Sequence, residues 1–234
     1  MSAAFPVRIM RSIRAADGYL DLKMLKEAEA ELQDVPVGFR TELPYLFVVS
    51  RLCFDAQNWE KAAQVGALIQ RQQPDEVGAW VNYAFAVRRH SGIADAELIL
   101  QEALERFPEE AIVPYNLACY ASQQGAFDSA DVYLTKACAM DPEFSAIGAA
   151  DEDLDPLREY LAHIPQHHQQ TNQTANDAHP IRAAFTRLQQ KSRPEDREHR
   201  HKDHHQTHKG TIAGVIDHKG LNGERNGIAN RHQH

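Results

Sequence analysis

Apolar side chains in residues 111–142, AIVPYNLACYASQQGAFDSADVYLTKACAMDP, recur at helical spacing on two short stretches. A turn at Gly125 separates them and a second turn follows at Asp141-Pro142. One hairpin of this size cannot bury its own apolar face, so the pattern predicts further copies. A shift of 34 residues gives VGAWVNYAFAVRRHSGIADAELILQEALERFP, and a second shift gives LPYLFVVSRLCFDAQNWEKAAQVGALIQRQQP. Ala62, Ala96 and Ala130 then share one position, Trp59, Ile93 and Phe127 stand three residues earlier, and Pro74, Pro108 and Pro142 close the copies. A fourth copy fits upstream, with Ala28 on the alanine position, Leu25 before it, and Ala16, Ser50, Ala84 and Ala118 on a common small-residue position. Helix axes that approach to about 8–10 Å need a small side chain at the crossing, and a bulky neighbour fills the groove beside it.

The period predicts an all-α chain of four helix pairs, with units at about 9–42, 43–76, 77–110 and 111–144. Helices are expected over 9–22 and 23–32, 44–54 and 59–72, 77–90 and 94–106, and 112–124 and 127–139. Gln57-Asn58, Ser91-Gly92 and Gly125 are the turns. Residues 145–164 read as a closing helix. Asp155 is its N-cap, Pro156 its first helical residue, and Leu157, Tyr160 and Leu161 cover the last pair.

The set Trp80, Tyr83, Ala84, Ala96, Leu100, Ala103 and Pro108 resembles the tetratricopeptide repeat (TPR) family, over about residues 9–144 in four units without insertion. The resemblance implies a right-handed α-solenoid of helix-turn-helix repeats with a C-terminal capping helix. Four features depart from the family pattern. Pro114 and Ser12 stand where a large residue is usual, Gly66 stands where Leu100 and Leu134 sit in other copies, and the first unit's second helix stops at Asp34-Val35-Pro36.

Charge divides the chain near Pro165: residues 1–164 carry a net −12, and residues 165–234 a net +4. The acidic part argues against specific nucleic-acid binding. The tail, with 11 of the 13 histidines and many Gln and Asn, has too little apolar surface to offset the entropy of ordering, so 165–234 is expected to be mostly disordered. Within it Ile181, Ala184, Phe185 and Leu188 lie on one helical face and suit folding on a partner. His201 with His205, and His204 with His208, have i,i+4 spacing, but no scaffold fixes a metal site and none is expected. A third reading gives the tail no role, its composition being foreign to the rest.

Cys53, Cys119 and Cys138 are odd in number and unpaired in spacing, as expected of small buried residues rather than a disulfide framework. No run is long and apolar enough for a membrane helix and residues 1–14 lack a signal-peptide pattern, so no membrane role and a cytoplasmic location are expected. The acidic run at Asp151 fails as a calcium loop, because Pro156 stands where glycine is needed and Ala162 where a bidentate glutamate is. Phosphate-binding glycine loops, HExxH and GxSxG are absent from the sequence. Neither a catalytic role nor a cofactor is expected.

The resemblance places particular positions of each first helix on a concave groove. These are Ile13, Asp17, Leu20 and Asp21; Phe47, Arg51, Phe54 and Asp55; Val81, Phe85, Arg88 and Arg89; and Ile112, Tyr115, Cys119, Ser122 and Gln123. Aromatic rings beside arginines are the composition of binding hot spots. The natural ligand is a protein or peptide segment with apolar anchors and a carboxylate. The alternative for Arg51, Arg88 and Arg89 is that they are solvated or paired with nearby acids. Asn82 and Asn116 share a position where an amide can bond a bound peptide's backbone or hold an adjacent helix. The carboxylate clamp of the family's co-chaperone members does not fit, since Ile13 and Asp17, or Phe47 and Arg51, stand in place of its first lysine and asparagine.

The expected function is therefore a non-enzymatic binding scaffold or adaptor, with Phe47, Arg51, Phe54, Asn82, Phe85, Arg88, Arg89, Tyr115, Asn116 and Cys119 lining the groove. The alternative is a regulatory protein or a chaperone of secreted substrates whose tail binds metal or occupies the groove.

Overall fold

The structure, a computed structural model, describes residues 6–163. The expectations for 165–234, namely disorder, a docking helix near 181–188 and histidine pairs, lie outside the described residues. The described residues form helices and turns without a strand. The helices are α1 (Val7–Asp21), α2 (Leu25–Gln33), α3 (Leu43–Asp55), α4 (Trp59–Gln72), α5 (Val77–His90), α6 (Ile93–Arg106), α7 (Ile112–Gln123), α8 (Phe127–Met140), α9 (Glu143–Ala150) and α10 (Asp155–His163). The first residues of α2, α4, α6 and α8 follow one another at 34-residue intervals, and α4 and α5 begin and end where the sequence predicts. The chain divides into two compact units between His90 and Ser91.

In the first unit α1 contacts α2 and α3, α3 contacts α4, and α4 contacts α5. Ala16, Ala28, Ala62 and Ala84 are fully buried, as positions at helix crossings must be. Gly66 continues this logic. A Cβ there would lie 3.2 Å from the Tyr83 Cα, so the missing side chain lets α5 approach α4, and Tyr83 takes the space that a leucine fills in other copies. Trp80 is buried, and its indole N–H donates to the Pro74 carbonyl at 2.9 Å. The early stop of α2 is stabilised by Arg40, which donates to the carbonyls of Gln33 and Val35 at 2.8 Å and brings positive charge to the helix C-terminus.

The turns repeat at the atomic level. Lys23 (φ 57°), Gln57 (φ 56°) and Gly125 (φ 75°) share one repeat position and the left-handed backbone. After each, an N–H reaches back across the helix end: Met24 to Tyr19, Asn58 to Cys53 and Ala126 to Ala121, at 2.9, 2.8 and 2.9 Å. This is the Schellman closure, which satisfies carbonyls that a helix end leaves orphaned. Of the three, only Gly125 adopts it without a Cβ penalty.

In the second unit α7 contacts α6 and α8, and α10 contacts both α7 and α8. Ala96, Leu100, Ala103, Ala130, Leu134 and Ala137 are fully buried. Every residue of α7 from Val113 to Ser122 is buried, Pro114 included. The closing segment differs from the expected single helix. It is α9, a 3₁₀ turn at Glu152–Leu154, and α10. The break falls at Asp151, whose backbone is extended (φ −82°, ψ 120°) and whose Oδ1 accepts the Asp153 N–H at 2.9 Å. Asp151 thus caps the 3₁₀ turn, while Asp155, expected as the N-cap of the closing helix, is the first residue of α10 and receives the Arg158 guanidinium. Leu154 and Leu157 are fully buried, each stabilising the closure by about 1.5–3 kcal/mol. Tyr160 stacks on Phe127 at 4.5 Å yet stays partly exposed.

Candidate binding surface

The first unit gathers three rings. Phe54 lies near the end of α3, Trp59 opens α4 after the Gln57 turn, and Phe85 lies mid-way along α5. Phe54 and Phe85 stack with centroids 5.7 Å apart and planes 18° from parallel, while Trp59 meets them edge-on at 5.7 and 5.8 Å. All three are half-buried. The Arg89 guanidinium carbon sits 5.1 Å from the Trp59 ring centroid, and the residue is exposed. A cation over an aromatic face gains about 0.5–1 kcal/mol at an exposed site and keeps donors for a second partner. Phe47 on α3 and Arg88 on α5 are also half-buried.

Arg51 behaves differently from Arg89. It donates to Asp17 at 2.7 Å and also to Asp21, both on α1. Burial alone would lower its pKa, but the hydrogen bonds to Asp21 and Asp17 outweigh that and raise it. Lys23 likewise bridges to Asp55 at 2.9 Å. These charged groups near the surface are thereby matched within the unit, and the reading of Arg51 as a selector of partner charge is corrected to an internal pair. Ile13, Leu20 and Val81, assigned to the groove by resemblance, are core residues.

The two asparagines are also corrected. Asn82 and Asn116 are buried, and each donates its amide to the carbonyl one turn earlier in its own helix, Gly78 and Ile112, at 2.8 Å. Neither offers that donor to a bound peptide.

Tyr115 and Cys119, expected on an open groove, are buried at 1% and 0% exposure. The covering groups come from the closing segment. The Tyr115 hydroxyl donates to Asp151 Oδ2 at 2.6 Å, its ring meets Phe144 at 4.7 Å, and the Cys119 thiol lies 3.8 Å from the same carboxylate oxygen. Burial first, then Cys119 and Asp151, pushes the Tyr115 phenol far above its ordinary range, so it is a neutral donor at any physiological pH. Next along α7, Ser122 Oγ accepts the Leu157 N–H at 3.2 Å and Gln123 donates to the Asp153 carbonyl at 2.9 Å. One donor atom each of Cys119, Asp151 and Asp153 lies within 4.8 Å of the others, a spacing that a metal ion accepts. Both Asp151 oxygens already receive hydrogen bonds, so the cluster is a satisfied polar network as it stands.

Neither a protein-family model nor a curated protein matches this chain. Among solved structures it is similar to TTC0263, a thermophilic TPR protein of Thermus thermophilus, at 15% identity and a TM-score of 0.48, covering 76% of this chain and 97% of that one. It is also similar to PilW, a widely conserved type IV pilus biogenesis factor, at 16% identity and 0.49, covering 80% and 94%.

Sequence reasoning misses Trp59 and Asp151 as site residues. Trp59 carries a signal, since the Gln57 turn brings it back toward Phe54. Asp151 carries none, because its contact with Tyr115 spans 36 positions.

Proposed function

We propose that this protein is a non-enzymatic binding module whose first unit holds a segment of another protein. The observation that carries the reading is the half-buried cluster of Phe54, Trp59 and Phe85 with the exposed Arg89 laid over it. Rings held against one another lose little further entropy on binding, and a partner's apolar side chain placed on them completes their burial. Arg89 supplies the charge selection, so the partner segment carries a carboxylate one or two residues from its apolar anchor. Phe47 and Arg88 flank this contact. The net charge of −12 over residues 1–164 makes a protein segment a better match than nucleic acid. Among the described residues no helix is long and apolar enough to cross a membrane, and a cytoplasmic setting is part of the proposal.

The test is a capture experiment with the full chain, followed by affinity measurement with each partner identified. Arg89→Glu reverses an exposed charge, so it should leave helicity and melting unchanged while lowering affinity tenfold or more, the scale of a hot-spot residue at about 2 kcal/mol. Phe85→Ala should also lower affinity, through lost apolar contact, while keeping the helical signal and lowering the melting temperature modestly because its ring contacts are lost. Affinity unchanged in both variants would remove the cluster from consideration.

A further inference from the structure

Beside the buried Leu154 and Leu157 and the Tyr115–Phe144 ring contact, α7 meets the closing segment through a row of polar groups and main chain. Tyr115, Cys119, Ser122 and Gln123 stand at spacings of four, three and one along the helix, and they meet Asp151 Oδ2, the Leu157 N–H and the Asp153 carbonyl. A segment that served only to hide apolar surface would need only its leucines. Here an extended residue followed by a 3₁₀ turn lies along a row of side chains that grips one carboxylate and two main-chain groups. Hydrogen bonds to main-chain groups do not depend on the side chains between them, so they hold a segment without fixing its whole sequence.

We propose that the inner wall of α7 is a second peptide-binding surface, which the chain fills with its own residues 151–157, and that its partner is an acidic segment of the same chemistry. Such a partner brings a carboxylate to the Tyr115 hydroxyl, a main-chain carbonyl to Gln123, a main-chain N–H to Ser122, and a leucine-like side chain in place of Leu154 or Leu157. This inference rests on the reading that the chain binds segments of other proteins, but it uses none of the aromatic cluster. The internal copy competes with the partner, so apparent affinity equals the intrinsic affinity multiplied by the fraction of chains in which 151–157 has left the wall.

The test uses a fluorescent peptide of residues 150–158, ADEDLDPLR, added to the full chain. Asp151→Ala weakens only the internal copy, and should tighten peptide binding about tenfold or more by the population argument. Gln123→Ala weakens the internal copy and the added peptide alike, so its apparent affinity should stay near wild type. In parallel, alkylation of Cys119, read by mass spectrometry, should speed up in Asp151→Ala while that of Cys138 in the neighbouring α8 does not. If Asp151→Ala lowers the helical signal, Asp151→Asn, which keeps an acceptor for the Asp153 N–H, carries the same comparison. Peptide binding no tighter than wild type, equal binding of a scrambled peptide, or Cys119 and Cys138 accelerating together would each overturn the proposal. Phe85→Ala should leave all these readouts unchanged, so failure here and failure of the aromatic cluster are separable.

Discussion

Phe85 and Cys119 occupy the same repeat position, as do Phe47 and Tyr115, one member of each pair in each unit. In the first unit both phenylalanines stay half-exposed, and Phe85 stacks in a ring cluster under Arg89. In the second, Tyr115 and Cys119 are sealed beneath Asp151 and Phe144. Repeat position decides which side of a helix a residue occupies. Whether that side is open depends on what the chain does afterwards, here a return of residues 143–163 over α7.

The largest test of this contrast exchanges core residues at one repeat position. Leu100→Ala in the second unit should cost about 2–5 kcal/mol, because it empties a fully buried site. Gly66→Leu in the first, which restores the residue of the other copies, should also destabilise, by about 1–3 kcal/mol, because Tyr83 already fills that space. Urea unfolding of both variants reads the result, and a stabilised Gly66→Leu would show that the two units are built alike after all.

Tyr115→Phe removes the hydroxyl from Asp151 and should lower stability by about 1–3 kcal/mol, with the loss confined to the wall of α7. Hydrogen exchange should show faster opening at Asp153 and Leu157 and no change in α3 or α5. Equal exchange throughout would mean that the hydroxyl does not hold the closing segment down.

A finer comparison uses the turns. Gly125→Ala should destabilise by about 1 kcal/mol, since φ 75° brings a Cβ toward the following carbonyl oxygen. Gln57→Gly, at the equivalent turn in the first unit, should have the opposite sign and a gain under about 1 kcal/mol, because relief of strain exceeds the added freedom of the unfolded chain. Melting curves for the two variants should therefore move in opposite directions.

A last effect, absent at neutral pH, is set by alkaline titration. Burial, with Asp141 second, pushes the Cys138 thiol up to about 11 from 9.0. The unfolded chain loses that proton before the folded one does, so stability is complete below about pH 9 and declines as pH rises toward 11. The fall in melting temperature between pH 9 and 11 should be smaller in Cys138→Ala than in wild type. An identical fall would assign the pH dependence to other groups.

Much of the fold is legible in the sequence because its causes are local. Ala62, Ala96 and Ala130 mark helix crossings, and the bounds of α4 and α5 follow from the apolar spacing and from breakers such as Pro74. The candidate surface is legible only in part. The sequence points to Phe54 and Phe85, which the fold brings into ring contact, but it presents Trp59 only as a marker of the repeat. Arg51 is indistinguishable from Arg89 in the sequence, yet it has two acids from α1 within reach, whereas Arg89 lies over an indole. The asparagines carry two readings and take neither, bonding instead within their own helices.

The linear chain dictates helix pairs at a 34-residue interval, small residues at their crossings and turns between most of them, since each needs only neighbours a few positions away. Folding settles which inner positions remain open and which charges are already matched. Those outcomes turn on pairs such as Tyr115 with Asp151 and Arg51 with Asp17, separated by 36 and 34 positions. No periodicity encodes such meetings, because they exist only once the intervening helices have brought the two ends together.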